Sequence, residues 1–130
     1  MHTHISSTKE VSPLLDKIVN LLHASKYPDK VVFGIRLALE EGLVNAIKHG
    51  NHYDPNKSVS VTYYVTQDQI AIEIEDEGEG FDPEQVPDST LSENLEKPNG
   101  RGLLLMRHYM DVVEYDNNRL TLLWNAMATV

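Results

Sequence analysis

Three short segments of the sequence carry polar residues and glycines at spacings suited to holding a ligand. In the first segment, Glu41 and Asn45 are four residues apart, and Lys48 and His49 follow seven and eight residues after Glu41. These spacings place all four side chains on one face of a helix. Any solvent-exposed helix also presents such a face. An asparagine within a helix is mildly unfavourable, however, because its amide competes for backbone partners.

The second segment follows an expected strand and contains Asp76, Gly78 and Gly80. Two glycines separated by one residue allow a sharp turn and a close approach to a flat ligand. The carboxylate of Asp76 can accept a hydrogen bond from an exocyclic amine. Calcium is an alternative ligand for an acidic, glycine-containing turn, but the twelve-residue calcium loop with its terminal glutamate is absent.

The third segment contains Gly100 and Gly102 at the start of an expected helix. Glycines there leave the first backbone N–H groups free to bind an anion, which the helix dipole also favours. Alternatively, the two glycines only provide a flexible end to the preceding loop. The segment is not a P-loop, and no strand precedes it directly, which argues against a dinucleotide-binding fold.

Hydrophobic periodicity indicates the elements that position these segments. Apolar residues at helical spacing predict helices over residues 12–24 and 30–49, and the second helix places Val32, Ile35, Leu39, Leu43 and Ala46 toward the core. Alternating residues predict a hairpin over residues 59–75, and residues 112–124 predict a closing hairpin. Between them we expect a loop over residues 82–99 and a third helix after Gly102; a short strand is expected at the start.

This order of elements predicts an α+β fold. We expect a two-layer sandwich in which a mixed, mostly antiparallel sheet carries its helices on one face, because its strands cluster in hairpins. A length of 130 residues favours a single domain over residues 1–130.

The charge balance limits the classes of partner. Twenty acidic residues against eleven basic ones give a net charge of −9, which disfavours nucleic acid as a partner. The phosphates of a nucleotide would therefore be held mainly by backbone amides and a metal ion. The chain contains no cysteine, and it shows neither a secretion signal nor an apolar run long enough for a membrane span. We expect a cytoplasmic protein without membrane contacts.

Taken together in this order, the three segments resemble the ATP-binding fold of gyrase, the ninety-kilodalton chaperone, sensor histidine kinases and mismatch-repair ATPases. The stretches LEEGLVNAIKHGN, from Leu39, and GRGLLLMRHYMD, from Gly100, look most like the bacterial anti-sigma factor serine/threonine kinases of that superfamily. The resemblance covers nearly the whole chain and implies a Bergerat-type, histidine-kinase-like ATPase domain.

The resemblance also implies roles for individual residues. Asn45 would coordinate the Mg²⁺ ion that bridges the ATP phosphates, and Glu41 would act as the general base. Asp76 would bind the adenine amino group, in a pocket shaped by Gly78 and Gly80. The remaining binding residues would wrap the phosphates or border the site: Gly100, Arg101, Gly102, Leu103 and His49. Magnesium suits an amide oxygen and phosphate oxygens, and phosphoryl transfer needs mainly positioning and charge neutralisation.

The function implied is that of an ATP-dependent kinase that phosphorylates a serine or threonine of an anti-anti-sigma protein and alternately binds a sigma factor. A homodimer is also expected from the resemblance. A non-catalytic module, in which ATP only stabilises a partner-binding conformation, remains open, as does a small acidic domain without a ligand.

The sequence departs from the family pattern at several points. Thr121 lacks the preceding glycine of the family's last motif, so it receives no role, and the 82–99 loop contains no glycine. We do not expect a complete sensor histidine kinase, because no phosphoacceptor-histidine helix precedes the motifs. His49 and His52 form a further candidate metal pair, although further ligands would be needed nearby.

Overall fold

The computed structural model describes residues 1–78, 104 and 106–125. Its helices and strands are, in chain order, β1 (His2–Ile5), α1 (Val11–Ala24), α2 (Asp29–Asn45), β2 (Val59–Val65), β3 (Gln69–Glu75), β4 (Val112–Asp116) and β5 (Arg119–Asn125). A 3₁₀-helix, Thr8–Glu10, precedes α1, and a π-helix, Ala46–Gly50, continues α2. Residues 104 and 106–109 are helical, as predicted for the third helix, whose start lies outside the described residues.

The start of the first helical segment is fixed by a carboxylate. Glu10 Oε2 accepts hydrogen bonds from the backbone N–H groups of Ser6, at 2.6 Å, and Ser7, at 2.9 Å. These two bonds lower the pKa of Glu10, because they favour its charged form. They also satisfy backbone donors that have no partner within the helix.

The second helix widens at its C-terminal end. The sequence predicted one helix to about His49, but from Ala46 onward the turn is π-helical, and the N–H of Asn51 donates to the carbonyl of Ala46 at 2.9 Å. Helix propensity does not distinguish this spacing from the α-helical one. Such widened turns occur frequently at functional sites.

The five strands form one sheet in the order β1-β2-β3-β5-β4, and every pair of neighbours is antiparallel. The expected hairpins are both present. Alternate residues of each central strand are buried, as Ile70, Ile72 and Ile74 show for β3. The other face of the sheet carries polar residues, which include Glu73 and Thr121. The α+β prediction, with an antiparallel sheet and helices on one face, is confirmed.

The core lies between the apolar face of the sheet and the helices. The whole predicted stripe of α2 is buried: Val32, Ile35, Leu39, Leu43 and Ala46. Helix α2 packs tightly on its neighbours at two glycines. A Cβ atom at Gly42 would lie 3.0 Å from side-chain atoms of Ile74 and Leu120, and one at Gly34 would lie 2.3 Å from Tyr109 Cδ1. Within the described part of the chain, no helix combines the length and apolar character needed to cross a bilayer.

Candidate functional site

The last turn of α2 carries a buried amide without a partner. Asn45 is only 7% exposed, and its Nδ2 atom is buried and makes no hydrogen bond within the part of the chain that the structure describes. The sequence placed Asn45 on a polar helix face of the kind that any solvent-exposed helix presents. The burial of Asn45 shows that this part of the face is not exposed to solvent. The reason is that α2 contacts α1, the sheet and the 106–109 helical segment, and is therefore covered on more than one side.

Glu41 lies one helical turn before Asn45 and is partly exposed. A carboxylate and an amide at this spacing point toward the same side of the helix. The amide offers an oxygen to a hard cation and two N–H donors to an anion, whereas the carboxylate can accept a proton. One turn of α2 therefore carries a group that can bind a ligand and a group that can accept a proton.

His49, on the π-helix, supplies a second unpaired polar atom. Its Nε2 is buried and has no hydrogen-bond partner in residues 1–78, 104 and 106–125. Burial lowers the pKa of His49, and the positive charges of Lys48 and His52 lower it further. The imidazole is therefore neutral near pH 7. A buried nitrogen of this kind is normally paired, so it is suited to contact a ligand.

The end of the π-helix packs directly on the turn after β3. A Cβ atom at Gly50 would lie 2.3 Å from Asp76 Cγ, and one at Gly78 would lie 2.1 Å from the Gly50 carbonyl oxygen. Both positions thus admit only glycine without rearrangement. The N–H of Gly78 donates to Asp76 Oδ1 at 2.7 Å, which orients the carboxylate. The sequence analysis identified Asp76 and Gly78 but not Gly50, although Gly50 follows the candidate His49 directly.

The backbone of Asp76 is held by the turn between β4 and β5. Its N–H donates to the carbonyl of Asn118 at 3.0 Å, and Asn118 Nδ2 donates to the carbonyl of Asp76. These two bonds fix the carboxylate between elements that are distant in the sequence. Asn118 was not identified from the sequence, because its turn position indicated only a hairpin.

Asn51 joins three segments of the site. It is 2% exposed; its Nδ2 donates to the Ser58 carbonyl at 3.1 Å, and its Oδ1 accepts from the N–H of Glu77 at 2.7 Å. The amide therefore connects the end of the π-helix to the start of β2 and to the turn after Asp76. Its position beside the candidate motif was the only signal in the sequence, and the contact itself depends on the fold.

The carboxylate of Asp76 is partly desolvated by burial, and neighbouring charges also act on its pKa. Burial raises the pKa of Asp76, and the negative charge of Glu75 raises it further. The N–H of Gly78 and the positive charges of His52 and Lys57 act in the opposite direction. A carboxylate that has lost part of its hydration gains more from a hydrogen-bond donor on a ligand than an exposed one does.

The hydroxyl group of Tyr115, on β4, is influenced by the charges of both Glu41 and Asp76. Burial raises the pKa of Tyr115 well above its usual range, and the negative charges of Asp76 and Glu41 raise it further. The hydroxyl group therefore stays protonated. Because both charges act on the same hydroxyl, Glu41 and Asp76 belong to one electrostatic environment, although one lies on a helix and the other follows a strand.

The structure describes five of the predicted site residues: Glu41, Asn45, His49, Asp76 and Gly78. The first three lie on α2 and the π-helix that continues it, and the last two lie on the turn after β3. The two regions meet where Gly50 packs on Asp76. The other five lie outside the described residues: Gly80, Gly100, Arg101, Gly102 and Leu103. The 82–99 loop does so as well. Lys48, which the spacing placed on the same helix face as Glu41, Asn45 and His49, is exposed.

The described groups fit a magnesium-bound nucleotide. Asn45 Nδ2 and His49 Nε2 are buried without partners among the described residues, and Asp76 presents a half-buried acceptor that packs closely on Gly50 and Gly78. Among the described residues, no cluster of three or more histidine, aspartate or glutamate side chains could hold a metal ion without a ligand. Phosphate oxygens would complete the coordination of a hard cation. Within the described residues, no third such side chain joins the His49–His52 pair.

Comparison with known proteins identifies the family. The sequence pattern of the histidine kinase-like ATPase domain matches residues 6–124. The serine/threonine-protein kinase BtrW of Bordetella bronchiseptica is 29% identical over 75% of this chain and 72% of its own length.

Two further relatives give shorter matches. The serine-protein kinase RsbW of Bacillus subtilis is 32% identical over 65% of this chain, and an anti-sigma F factor of Oceanobacillus iheyensis is 34% identical over 62%. The match spans 56% of the length of each of these two relatives.

Proposed function

The chain belongs to the family of histidine kinase-like ATPase domains, and on that premise we propose that it is an anti-sigma regulator with protein kinase activity. It binds Mg²⁺-ATP, phosphorylates a serine or threonine of an anti-anti-sigma protein and alternately binds a sigma factor. Its kinase-named and anti-sigma-named relatives support both halves of this proposal. A chain with these partners works in the cytoplasm.

The buried Nδ2 atom of Asn45, which has no partner among the described residues, is the observation that carries the proposal. An amide buried without a partner costs about 1–3 kcal/mol, so a fold retains one where a ligand completes its bonding. Asn45 lies one turn from Glu41, and the π-helix after it leads directly to the contact between Gly50 and Asp76. A nucleotide bound at this junction would contact all of these groups.

Asn45 would hold the magnesium ion through its amide oxygen. Magnesium would neutralise the charge of the phosphates during phosphoryl transfer, which depends mainly on positioning and electrostatic stabilisation. Glu41 would orient the incoming hydroxyl group and accept its proton. His49 would donate or accept one hydrogen bond at the border of the phosphate region, through the buried Nε2 atom.

Asp76 would accept a hydrogen bond from the adenine amino group. The Gly78 N–H and the Asn118 turn hold the carboxylate in place, so little entropy is lost when the base binds. The close packing at Gly50 and Gly78 would hold the carboxylate beside the ring, and Gly80 would help to shape the pocket. Gly100, Arg101, Gly102 and Leu103 would wrap the phosphates at the start of the third helix.

A phosphoryl-transfer assay tests the proposal. Purified chain is incubated with labelled ATP, magnesium and candidate anti-anti-sigma proteins of the same organism. We expect label on a serine or threonine of one of these proteins. Glu41→Gln should reduce transfer about 100-fold or more and leave ATP binding unchanged, because loss of a general base affects the chemical step.

Glu40→Gln is the matched control. Glu40 is the neighbouring residue on α2 and forms a surface pair with Arg36 at 3.5 Å, an interaction of little energetic value. Transfer by this variant should equal that of the wild type. Equal transfer by Glu41→Gln would exclude Glu41 as the base. ATP binding without transfer by the wild type would instead favour the non-catalytic module.

A further inference from the structure

Two imidazoles meet on the polar face of the sheet, at its edge. His2 and His4 are alternate residues of β1, and both are exposed. Their Nε2 atoms are 3.2 Å apart, and the rings meet edge to face at a centroid distance of 4.8 Å. The neighbouring strand places Thr62 opposite His2 and Ser60 opposite His4. The helices and the proposed nucleotide site lie on the other face of the sheet.

The separation of the two nitrogens matches that of two ligands on one metal ion. Tetrahedral zinc with Zn–N distances of about 2.0–2.1 Å places its ligand atoms about 3.3 Å apart. The observed 3.2 Å is also the length of a hydrogen bond between the rings, in which one Nε2–H donates to the other nitrogen. A divalent ion can replace that proton without moving either ring far.

A neighbouring hydroxyl group orients the first imidazole. His2 Nδ1 lies 2.7 Å from Thr62 Oγ1, so Nδ1–H donates to the hydroxyl when the lone pair is on Nε2. Metal-binding histidines commonly donate their second ring N–H to such an acceptor, which fixes the tautomer and the ring orientation. Ser60 Oγ, at 3.4 Å from His2 Nε2, adds a hydroxyl oxygen beside the same nitrogen.

We propose that His2 and His4 form a two-histidine binding site for a divalent transition-metal cation of the zinc class, separate from the nucleotide site. Imidazole nitrogen is a preferred ligand of these ions, whereas magnesium prefers oxygen. Among the described residues, no third histidine, aspartate or glutamate joins the pair, so water fills the remaining positions. The net charge of −9 favours the approach of a cation.

Zinc titration of the untagged chain, without nucleotide or chelator, tests this site. We expect one saturable Zn²⁺ equivalent by calorimetry, with selective shifts of the His2 and His4 ring signals by NMR. His4→Asn should weaken binding by at least about tenfold, and Thr62→Val should weaken it by about tenfold because the orienting bond is lost. Circular dichroism checks that both variants retain the fold.

His23→Gln is the control, because His23 lies on α1 beside Asp29, far from the edge strand in the sequence. Its zinc affinity should equal that of the wild type. The absence of saturable binding by the wild type would mean that the two rings are only hydrogen-bonded. Unchanged binding by both His4→Asn and Thr62→Val would assign the ion to another site. Either result would overturn the proposal.

Discussion

The buried polar groups of Asn45 and Asp76 differ in their hydrogen bonding. Among the described residues, Asn45 keeps a buried donor without a partner, whereas the Asp76 carboxylate has lost hydration but accepts a hydrogen bond from Gly78. Both groups would be stabilised by a ligand of complementary chemistry, an acceptor such as phosphate for the Asn45 N–H donor and an amine for the Asp76 carboxylate. The chain therefore gives up some stability in the absence of a nucleotide and would regain it on binding.

Replacing Asp76 should change the free energy of unfolding and the affinity for ATP in opposite directions. The pKa of Asp76 is raised in the folded chain, mainly by burial, so this group favours folding below its unfolded pKa. That contribution is lost as the pH rises through the folded pKa. Asp76→Asn should therefore be more stable than the wild type near neutral pH, and the difference should disappear in acid. Urea unfolding across this pH range measures it.

The same substitution should weaken ATP binding about tenfold, because a neutral acceptor forms a weaker hydrogen bond than a carboxylate. Asp16→Asn, which alters an exposed carboxylate on α1, is the control and should change neither property. A lower stability of Asp76→Asn than of the wild type near neutral pH would contradict the assignment of burial as the dominant cause.

The π-helix positions the site through its last residue. Gly50→Ala would place a methyl group 2.3 Å from Asp76 Cγ, so the carboxylate or the helix end must move. We expect a loss of about 1–3 kcal/mol in the free energy of unfolding and a parallel loss of ATP affinity. Thermal unfolding and nucleotide titration measure the two effects.

Gly34→Ala is the matched control, because its methyl group would lie equally close, 2.3 Å, to a side chain outside the junction, that of Tyr109. It should lower stability and leave ATP affinity nearly unchanged. If the two alanine variants bind ATP equally well, the contact between Gly50 and Asp76 does not position the nucleotide.

The start of the first helical segment gives a pH dependence of opposite sign. Hydrogen bonds from Ser6 and Ser7 lower the pKa of Glu10, so its stabilisation is present above the unfolded pKa and is lost as the pH falls through the folded pKa. Glu10→Gln should cost about 0.5 kcal/mol near neutral pH, the low end for a cap, because the group is exposed.

Chemical denaturation near neutral pH and in acid measures this difference, with Glu114→Gln as the exposed control. In acid, Glu10→Gln and the wild type should converge. A difference that persists below the pKa of Glu10 would show that the capping contribution does not depend on the charge.

Hydrophobic period was sufficient to predict the elements, but not the contacts between them. The alternation in β2 and β3 and the apolar stripe of α2 indicated the two layers, and the motifs indicated Glu41, Asn45 and Asp76. The burial of Asn45 could not be predicted, because it depends on how many neighbours cover α2. Gly50, Asn51 and Asn118 act through contacts with residues distant in the sequence, which no local pattern specifies.

The whole chain is acidic, and this constrains how it would hold a nucleotide. With a net charge of −9, the described site contains few positive charges, of which Lys48, Lys57 and His52 act on its titratable groups. Magnesium and backbone N–H groups would therefore carry most of the neutralisation. The phosphate-wrapping role of residues 100–103 remains a prediction, as does the homodimer.

The central claim is that Mg²⁺-ATP binds at the junction of α2, the π-helix and the turn after β3. Isothermal titration of Mg²⁺-ATP into the wild type, Asn45→Ala and the exposed control Asn20→Ala tests it most directly. We predict one site per chain, with affinity reduced roughly 10–100-fold in Asn45→Ala and unchanged in Asn20→Ala. Absence of binding by the wild type, or equal affinity in all three proteins, would contradict the claim.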